Sequence, residues 1–252
     1  MGRKEDRKAQ ERQKKSLRYR LLTILSIVFA VVGVGLLAQP FVSNYLLTQR
    51  IQEQERQLSQ LTREEIEANQ NANASFDFND VQSLSLESIL AASQNKAKVQ
   101  SIGEIAIPSV GINLTVAKGV SDLNMSVGAG TLRSDQVMGE GNYPLASHYS
   151  SYGDGKLLFT PLLKVELGDK VYLTDLKKVY VYETYWKEVV NPDRVDLVEN
   201  TPGDNIVTLI TCSDGSAAYR LIVRARLTAS YDVSQAPTEA IEAFKLTKHT
   251  LR

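Results

Sequence analysis

A long uncharged segment near the start of the sequence restricts the chain more than any other feature. Residues 21–49 contain no Asp, Glu, Lys or Arg, and the 18 residues from Leu21 to Ala38 are almost wholly apolar. A helix of that length spans roughly 27 Å, and the uncharged continuation lengthens it, so the segment can cross a hydrocarbon core of about 30 Å. We therefore predict a transmembrane helix over residues 21–47. A cleaved signal peptide is the alternative, but its apolar core is usually shorter and precedes a small-residue cleavage site.

The charges before this segment predict its orientation. Residues 1–20 carry nine basic and three acidic side chains. Because basic flanks stay on the cytoplasmic side of a membrane, we expect residues 1–20 in the cytoplasm and the chain after residue 47 outside. The expected protein is a single-pass protein of the cell membrane, with residues 21–47 in the lipid and its folded part on the extracellular face.

Composition excludes several classes of function. The chain has 29 basic and 29 acidic residues, and this zero net charge lacks the cationic surplus that nucleic-acid binding requires. One cysteine and two histidines cannot form an internal disulfide or the Cys/His shell that zinc prefers. Since exported proteins use cysteine mainly in pairs, Cys212 is either buried and inert or a reactive thiol.

Residues 48–100 separate the apolar segment from the part with strand-like patterns. Apolar residues are too sparse there for a heptad seam, so the pattern favours a solvated stalk helix and a linker over a coiled-coil dimer. Residues 81–95 can form a short amphipathic helix against the next domain. The tail, residues 235–252, contains AIEAFKL, a possible short helix that either packs on that domain or stays loose.

From Ile102 onward the sequence changes to short β-branched runs separated by Gly, Pro, Asp and Asn. Such runs predict seven or eight strands of an antiparallel β-structure. Short helices are expected around Ser121–Met125 and around Lys156–Leu163. About 130 residues of this kind make one compact domain, which we place at residues 101–234 and expect to be a closed or nearly closed barrel.

Cys212 lies where a thiol can be both accessible and held in place. It ends the strand-like run that begins at Ile206, and a turn-like segment, residues 213–216, follows at once. Arg220 opens the next strand and can approach the thiol across a hairpin, where its charge would stabilise a thiolate or an oxyanion. On spacing alone, an ordinary surface arginine is the simpler interpretation.

A general acid or base must come from one of the two histidines. His249 is the fourth residue from the chain end, in a tail that we expect to be solvated, so a catalytic role for it is not favoured. His148 follows an apolar run that starts at Tyr143 and so lies at the end of a predicted element. The residues alone leave two alternatives for His148, a structural histidine or the partner of Cys212.

Three segments together resemble the sortases, the cysteine transpeptidases of Gram-positive cell surfaces. They are TLITC ending at Cys212, Arg220 eight residues later, and GNYPLASH ending at His148. The segments GAGTL at 128–132 and LLFTPLLKVELGDKVYLTD at 157–175 are also similar to the family. The resemblance implies an all-β fold, a closed eight-stranded β-barrel with short helices, preceded by a transmembrane helix and a stalk.

The resemblance also implies a two-step acyl transfer. Cys212 would attack the Thr-Gly peptide bond of an LPxTG sorting signal and form a thioacyl enzyme. His148 would protonate the leaving amine and later deprotonate an incoming one, and Arg220 would orient the substrate and stabilise the oxyanion. In this family the incoming amine belongs to the cross-bridge of the peptidoglycan precursor lipid II, so the implied partners are LPxTG-bearing surface proteins and that precursor.

Four residues are candidates for the peptide groove. Thr208 and Ile210 share the strand parity of Cys212, so their side chains are expected on the same side of the strand. Ala146 is similar to a groove position in the family. We include Thr211, next to Cys212, with these three.

Departures from the family pattern bear on subclass and cofactors. Ser147 stands where glycine is common, and we find neither the lid motif nor the second hydrophobic segment of pilus-assembling sortases, which favours the class A, general anchoring type over a pilus-assembling enzyme. Some class A members bind calcium, and an acidic loop here contains Glu188, Asp193, Asp196 and Glu199. We favour a solvated loop and expect no cofactor.

Two other functional classes remain as alternatives. A papain-like protease also uses Cys and His, but its cysteine comes first and opens a helix, whereas here His148 precedes Cys212. A non-catalytic, membrane-tethered wall-binding module would need neither residue.

Overall fold

The structure, a computed structural model, describes residues 2–78, 81, 84–94 and 98–245. The chain divides into two compact units, Met1–Val42 and Ser43–Arg252. Helix α1 spans Gly2–Gln60 and contains Pro40. Within the described residues, the stretch Leu17–Gln60 is the one helix long and apolar enough to cross a membrane, in agreement with the expected span.

The second unit is built on a closed barrel of eight strands in the order β1-β2-β3-β4-β7-β8-β6-β5. Their bounds are β1 Ser101–Ile107, β2 Ile112–Ala117, β3 Ala129–Thr131, β4 Asn142–Ala146, β5 Lys170–Thr174, β6 Lys178–Val190, β7 Ile206–Cys212 and β8 Arg220–Asp232. The predicted eight-stranded barrel is confirmed. It is not purely antiparallel, because β2 pairs in parallel with β3, and β4 in parallel with β7.

Short helices connect and cover the strands. They are α2 Arg63–Asn71, α3 Leu86–Gln94, α4 Asp122–Val127 and α5 Thr238–Glu242, with 3₁₀ turns at Pro108–Val110, Gly153–Gly155, Thr160–Lys164, Val195–Val198, Val233–Gln235 and Ala243–Lys245. Ser121 caps α4, since its Oγ accepts from the Asn124 backbone N–H at 3.1 Å. The helix expected around residues 121–125 is therefore present, and the one expected around residues 156–163 is a 3₁₀ turn.

Strand β7 is buried on both faces, and each face packs in a different cluster. Val207 and Leu209 belong to the main core inside the barrel. Ile210 belongs to a second cluster that also contains Ala146, Ile222 and Met125. Because side chains alternate along a strand, Cys212 shares the side of Ile210. The thiol therefore lies beside the second cluster.

The segment expected to be a solvated stalk is instead packed on the barrel. Ile51, in the predicted stalk, is buried in the main core, and so is Leu47, so the predicted membrane span was drawn too long at its end, residue 47. Gln54 donates to Ser101 Oγ at 2.8 Å, and Leu58 is also buried. The spacing of these residues at positions 47, 51, 54 and 58 follows one helix face. The expectation of a solvated helix was wrong, because a narrow stripe of apolar residues that is too sparse to form a coiled coil is enough to pack a helix against the barrel.

The linker and the tail also contact the barrel. On α2, Ile66 is buried and Asn69 donates to the Ser101 carbonyl at 2.9 Å. In the tail, Ala240 and Ala243 pack in a cluster with the barrel residue Tyr172. The packed alternative for AIEAFKL is therefore the observed one, while residues 246–252, including the expected solvated end around His249, lie outside the described residues.

We predict that Ile51→Ala lowers the free energy of unfolding by about 2–5 kcal/mol, because it leaves a cavity in the main core. The measurement is urea unfolding of the detergent-solubilised chain, followed by tryptophan fluorescence. Gln60→Ala, at an exposed position of the same helix, is the control and should change stability by less than about 0.5 kcal/mol. Equal stability of the two variants would mean that this helix end is solvated.

Candidate active site

Strand pairing brings the three predicted catalytic residues to one end of the barrel. Strands β4 and β7 run in parallel, with Ala146 opposite Ile210, so the residues that follow β4 lie near the end of β7. His148 is the second residue after β4, and Cys212 is the last of β7. Because β8 is antiparallel to β7, its first residue, Arg220, lies directly opposite Cys212.

Cys212, His148 and Arg220 line the same pocket, which has a volume of about 60 Å³. The other lining residues are mostly apolar: Phe78, Val81, Met125, Ser147, Ile210, Thr211 and Ala217. We call this the thiol pocket. It combines a nucleophile, an imidazole and a cation with walls that suit aliphatic side chains.

A second pocket, of about 120 Å³, meets the thiol pocket at Cys212, His148 and Ala217. Its remaining walls are more polar and consist of Leu84, Tyr149, Ser151, Tyr152, Asp214 and Gly215. We call this the polar pocket. The thiol and the imidazole are therefore accessible from two chemically different sides.

The volume of a pocket does not identify the site in this protein. A pocket of about 510 Å³ lies between the end of α1, α2 and α4, and Arg50, Gln54 and Lys98 are among its lining residues. It contains neither the thiol nor a histidine. The presence of the thiol and the imidazole therefore identifies the thiol pocket and the polar pocket as the candidate active site.

The four predicted groove residues divide into two pairs. Ile210 and Thr211 line the thiol pocket, and Thr211 Oγ1 is buried with no hydrogen-bond partner in the described part of the chain. Thr208 and Ala146 do not line it, and both are completely buried. Thr208 Oγ1 is instead 2.7 Å from Asn142 Oδ1, to which it donates. Thr208 does lie on the same side of β7 as Cys212, but neighbouring side chains bury it completely there, so it is not accessible from the thiol pocket.

Ser147 has a structural role that the sequence did not indicate. Its side chain is buried, and its hydroxyl donates to the Gly128 carbonyl at 2.6 Å, just after α4. Met125 on α4 lines the thiol pocket. The serine before His148 thus ties the histidine loop to the helix that forms a pocket wall.

Burial dominates the protonation of both reactive groups. The pKa of Cys212 is raised, chiefly by burial; the nearby Arg220 charge opposes this rise, and Asp214 adds to it. Burial lowers the pKa of His148 to about 4, and the charge of Asp122 opposes that change weakly. At neutral pH the resting site therefore holds a thiol and a neutral imidazole, and the thiolate–imidazolium pair is the minor form.

A hydrogen bond to the loop between β7 and β8 holds the Arg220 side chain in place. Its Nη1 donates to the Ala217 carbonyl at 2.8 Å. Ala217 has a φ of 56°, in the left-handed region that residues with a Cβ rarely adopt. The hydrogen bond therefore holds both the arginine and a strained residue that lines both pockets.

The acidic loop proposed as a possible calcium site is occupied by arginines. Arg194 makes two hydrogen bonds to the Asp196 carboxylate, at 2.7 and 2.8 Å. Arg133 Nη1 lies 3.8 Å from a Glu199 carboxylate oxygen. In the part of the chain that the structure describes, no three His, Cys, Asp or Glu side chains converge as metal ligands do.

Comparison with known proteins agrees with this geometry. The family model described as a sortase domain matches residues 105–228. The chain is 38% identical over 224 residues to sortase A of Streptococcus agalactiae serotype III, covering 88% of this chain and 90% of that protein. It belongs to the sortase family. Among these cysteine transpeptidases, sortase A of Listeria monocytogenes is 39% identical over 188 residues, or 75% of this chain and 82% of that one.

A solved sortase structure supports the fold assignment. The crystal structure of Listeria monocytogenes sortase A superposes with a TM-score of 0.53 at 40% identity, and covers 57% of this chain and 97% of that one. The shared part is the barrel domain typical of sortases. The sortase resemblance inferred from TLITC and GNYPLASH is thus confirmed, and the class A assignment, which the lack of a pilus-type lid motif favoured, agrees with relatives that are themselves sortases A.

We predict that alkylation of Cys212 by iodoacetamide has a pH midpoint above about 8.5, the ordinary thiol value. Arg220→Gln should move the midpoint to higher pH, because it removes the cation that stabilises the thiolate. Asp214→Asn should move it to lower pH, because it removes the opposing anion. Mass spectrometry of the alkylated protein over a pH series measures all three. Shifts in the same direction for both variants would contradict these electrostatics.

Proposed function

We propose that the chain is a membrane-anchored transpeptidase that cleaves LPxTG sorting signals between Thr and Gly and joins the surface protein to an amine of a peptidoglycan precursor. The supporting observation is that Cys212, His148 and Arg220 line one pocket in a barrel of the sortase family. The apolar α1 segment supports the anchoring, and the basic residues 1–20 support a cytoplasmic N-terminus with the barrel outside.

In the first step, the Cys212 sulfur attacks the carbonyl carbon of the substrate threonine. The thiol proton passes to the neutral imidazole of His148, which then donates it to the leaving glycine amine. The Arg220 guanidinium stabilises the negative charge that develops on the carbonyl oxygen. The products are a thioester on Cys212 and a free amine, with His148 neutral again.

In the second step, an acceptor amine attacks the thioester carbonyl. Because burial keeps His148 neutral at neutral pH, its imidazole nitrogen is unprotonated and can accept the proton that this amine must lose. The proton then returns to the leaving sulfur, so that an amide forms and the thiol is restored. Amide formation and thiol release balance without an external oxidant or reductant.

The thiol pocket suits the sorting peptide, and the polar pocket suits the acceptor amine. The apolar walls of the thiol pocket, Met125 and Ile210 among them, suit the leucine and proline of the sorting signal. The polar pocket, with Asp214 at its wall, attracts the ammonium form of the acceptor, which must lose a proton to water before the free amine attacks the thioester.

The decisive experiment uses the detergent-solubilised chain, an LPETG peptide, and triglycine or dialanine as acceptor. Mass spectrometry should detect the peptide cleaved after Thr and joined to the acceptor. Cys212→Ala should lower turnover by at least about 10³-fold, because the nucleophile is lost. Gln60→Ala is the matched control and should retain full turnover. Transfer by the Cys212→Ala variant would refute this mechanism, and no transfer by the unmodified chain would favour a wall-binding module.

We also propose that turnover needs no calcium, because arginines already pair with Asp196 and Glu199 in the acidic loop. Adding calcium or EDTA should leave kcat/KM for the peptide unchanged. Arg194→Ala, which removes the ion-pair partner of Asp196, serves as the comparison. Activation of the unmodified chain by calcium, lost again with EDTA, would contradict the proposal.

A further inference from the structure

The loop between β6 and β7 helps to shape the thiol pocket, although the loop does not line it. Its 3₁₀ turn, Val195–Val198, places Leu197 in the second cluster, where Leu197 is 6% exposed. That cluster also contains Ile210 and Met125, which do line the thiol pocket. A shift of the turn would therefore move the apolar wall against which a peptide side chain rests.

Asn142 holds this turn through its side-chain amide. It is the first residue of β4 and is 1% exposed. Its Nδ2 donates to the carbonyls of Leu197, at 3.0 Å, and Glu199, at 2.9 Å. Both N–H groups of the amide are thus used on the loop.

The same amide also binds the strand that carries the nucleophile. Asn142 Oδ1 accepts from Thr208 Oγ1 at 2.7 Å, and Thr208 lies four residues before Cys212 on β7. The backbone N–H of Asn142 donates to Asn200 Oδ1 at 2.9 Å. One buried residue of β4 therefore connects β7 with both sides of the loop.

Two arginines bind the same turn from other directions. Arg224 Nη2 donates to the Leu197 carbonyl at 2.7 Å, and Arg133 Nη1 donates to the Val198 carbonyl at 3.3 Å. Neither of these bonds is made by a side chain that also hydrogen-bonds a β7 side chain, although Arg224 pairs with Thr208 across the β7–β8 ladder. Asn142 differs because its amide joins the loop to Thr208, so the loop and the nucleophile strand keep a fixed relation.

We infer that Asn142 is a positioning residue for the sorting peptide: by tying the turn at Val195–Val198 to β7, it sets the apolar wall of the thiol pocket. The inference rests on the proposed function. Asn142 pairs with Ile206, six residues from Cys212, which is about 20 Å along a strand. At that distance the residue acts on peptide recognition and not on the protonation of the thiol.

The test compares Asn142→Asp and Asn142→Ala with the unmodified chain in the peptide-transfer assay. The Asp variant puts a carboxylate oxygen against two carbonyls, and the Ala variant removes all three side-chain bonds. We expect the KM for the peptide to rise about tenfold in both. The KM for the acceptor amine and the alkylation rate of Cys212 should not change.

Thr208→Val isolates the bond to the nucleophile strand. It removes the hydroxyl that Asn142 accepts from but leaves both bonds to the loop, so the KM for the peptide should rise by a smaller factor. This variant also serves if the Asn142 variants fail to fold. An unchanged peptide KM in folded Thr208→Val and in any folded Asn142 variant would overturn the inference.

Asn113→Ala is the matched control for a merely structural role. Asn113 is also a buried asparagine of the barrel, and its Nδ2 donates to the Phe244 carbonyl at 2.8 Å. Its loss should lower thermal stability comparably and leave the KM for the peptide unchanged. If both asparagine variants reduce activity only in proportion to unfolding, the positioning role is wrong. Failure of the proposed function is distinguishable, because then the unmodified chain itself transfers no peptide.

Discussion

The position of β7 between β4 and β8 is the constraint on which the rest of the site depends. A parallel neighbour on one side means that β4 and β7 end at the same edge of the barrel, so His148 follows one strand where Cys212 ends the other. An antiparallel neighbour on the other side begins at that edge, with Arg220. His148, which lies 64 positions before Cys212, and Arg220, which lies 8 positions after it, therefore reach the same edge through strand pairing alone. The hydrogen-bond ladders, which are buried, fix this arrangement more firmly than side-chain contacts alone would.

Burial around this edge decides the chemistry of the resting enzyme. Desolvation raises the pKa of the thiol and lowers that of the imidazole, and the charge of Arg220 only partly offsets the first effect. A neutral thiol is a poor nucleophile and reacts slowly with oxidants, since the thiolate is the reactive species. Burial of the thiol therefore protects a cysteine that has no disulfide partner in this chain.

Sequence patterns predicted the strands and the placement of the three candidate catalytic residues at strand ends, because both depend on local order along the chain. A thiol at a strand end, an arginine opening the next strand and a histidine after an apolar run can each be read from neighbours in sequence. The prediction failed where a residue's environment comes from a distant element. Thr208 was expected in the groove from its parity, but Asn142, 66 residues earlier, binds it. Likewise, the residues of α1 that contact the barrel became recognisable only with the barrel surface known.

Closure of the barrel also restricts how an extended chain can bind. Each described strand has a hydrogen-bonded neighbour on both sides, and the ladder returns from β5 to β1. An open sheet offers an unpaired edge to which a peptide can add as a further strand, with main-chain hydrogen bonds that do not depend on sequence. Open edges remain in this barrel where one strand runs past its neighbour, as in residues 186–190 of β6 and residues 211–212 of β7, which pair with β8 alone. Closure therefore restricts strand addition to such short stretches and leaves most of the discrimination between peptides to side-chain pockets.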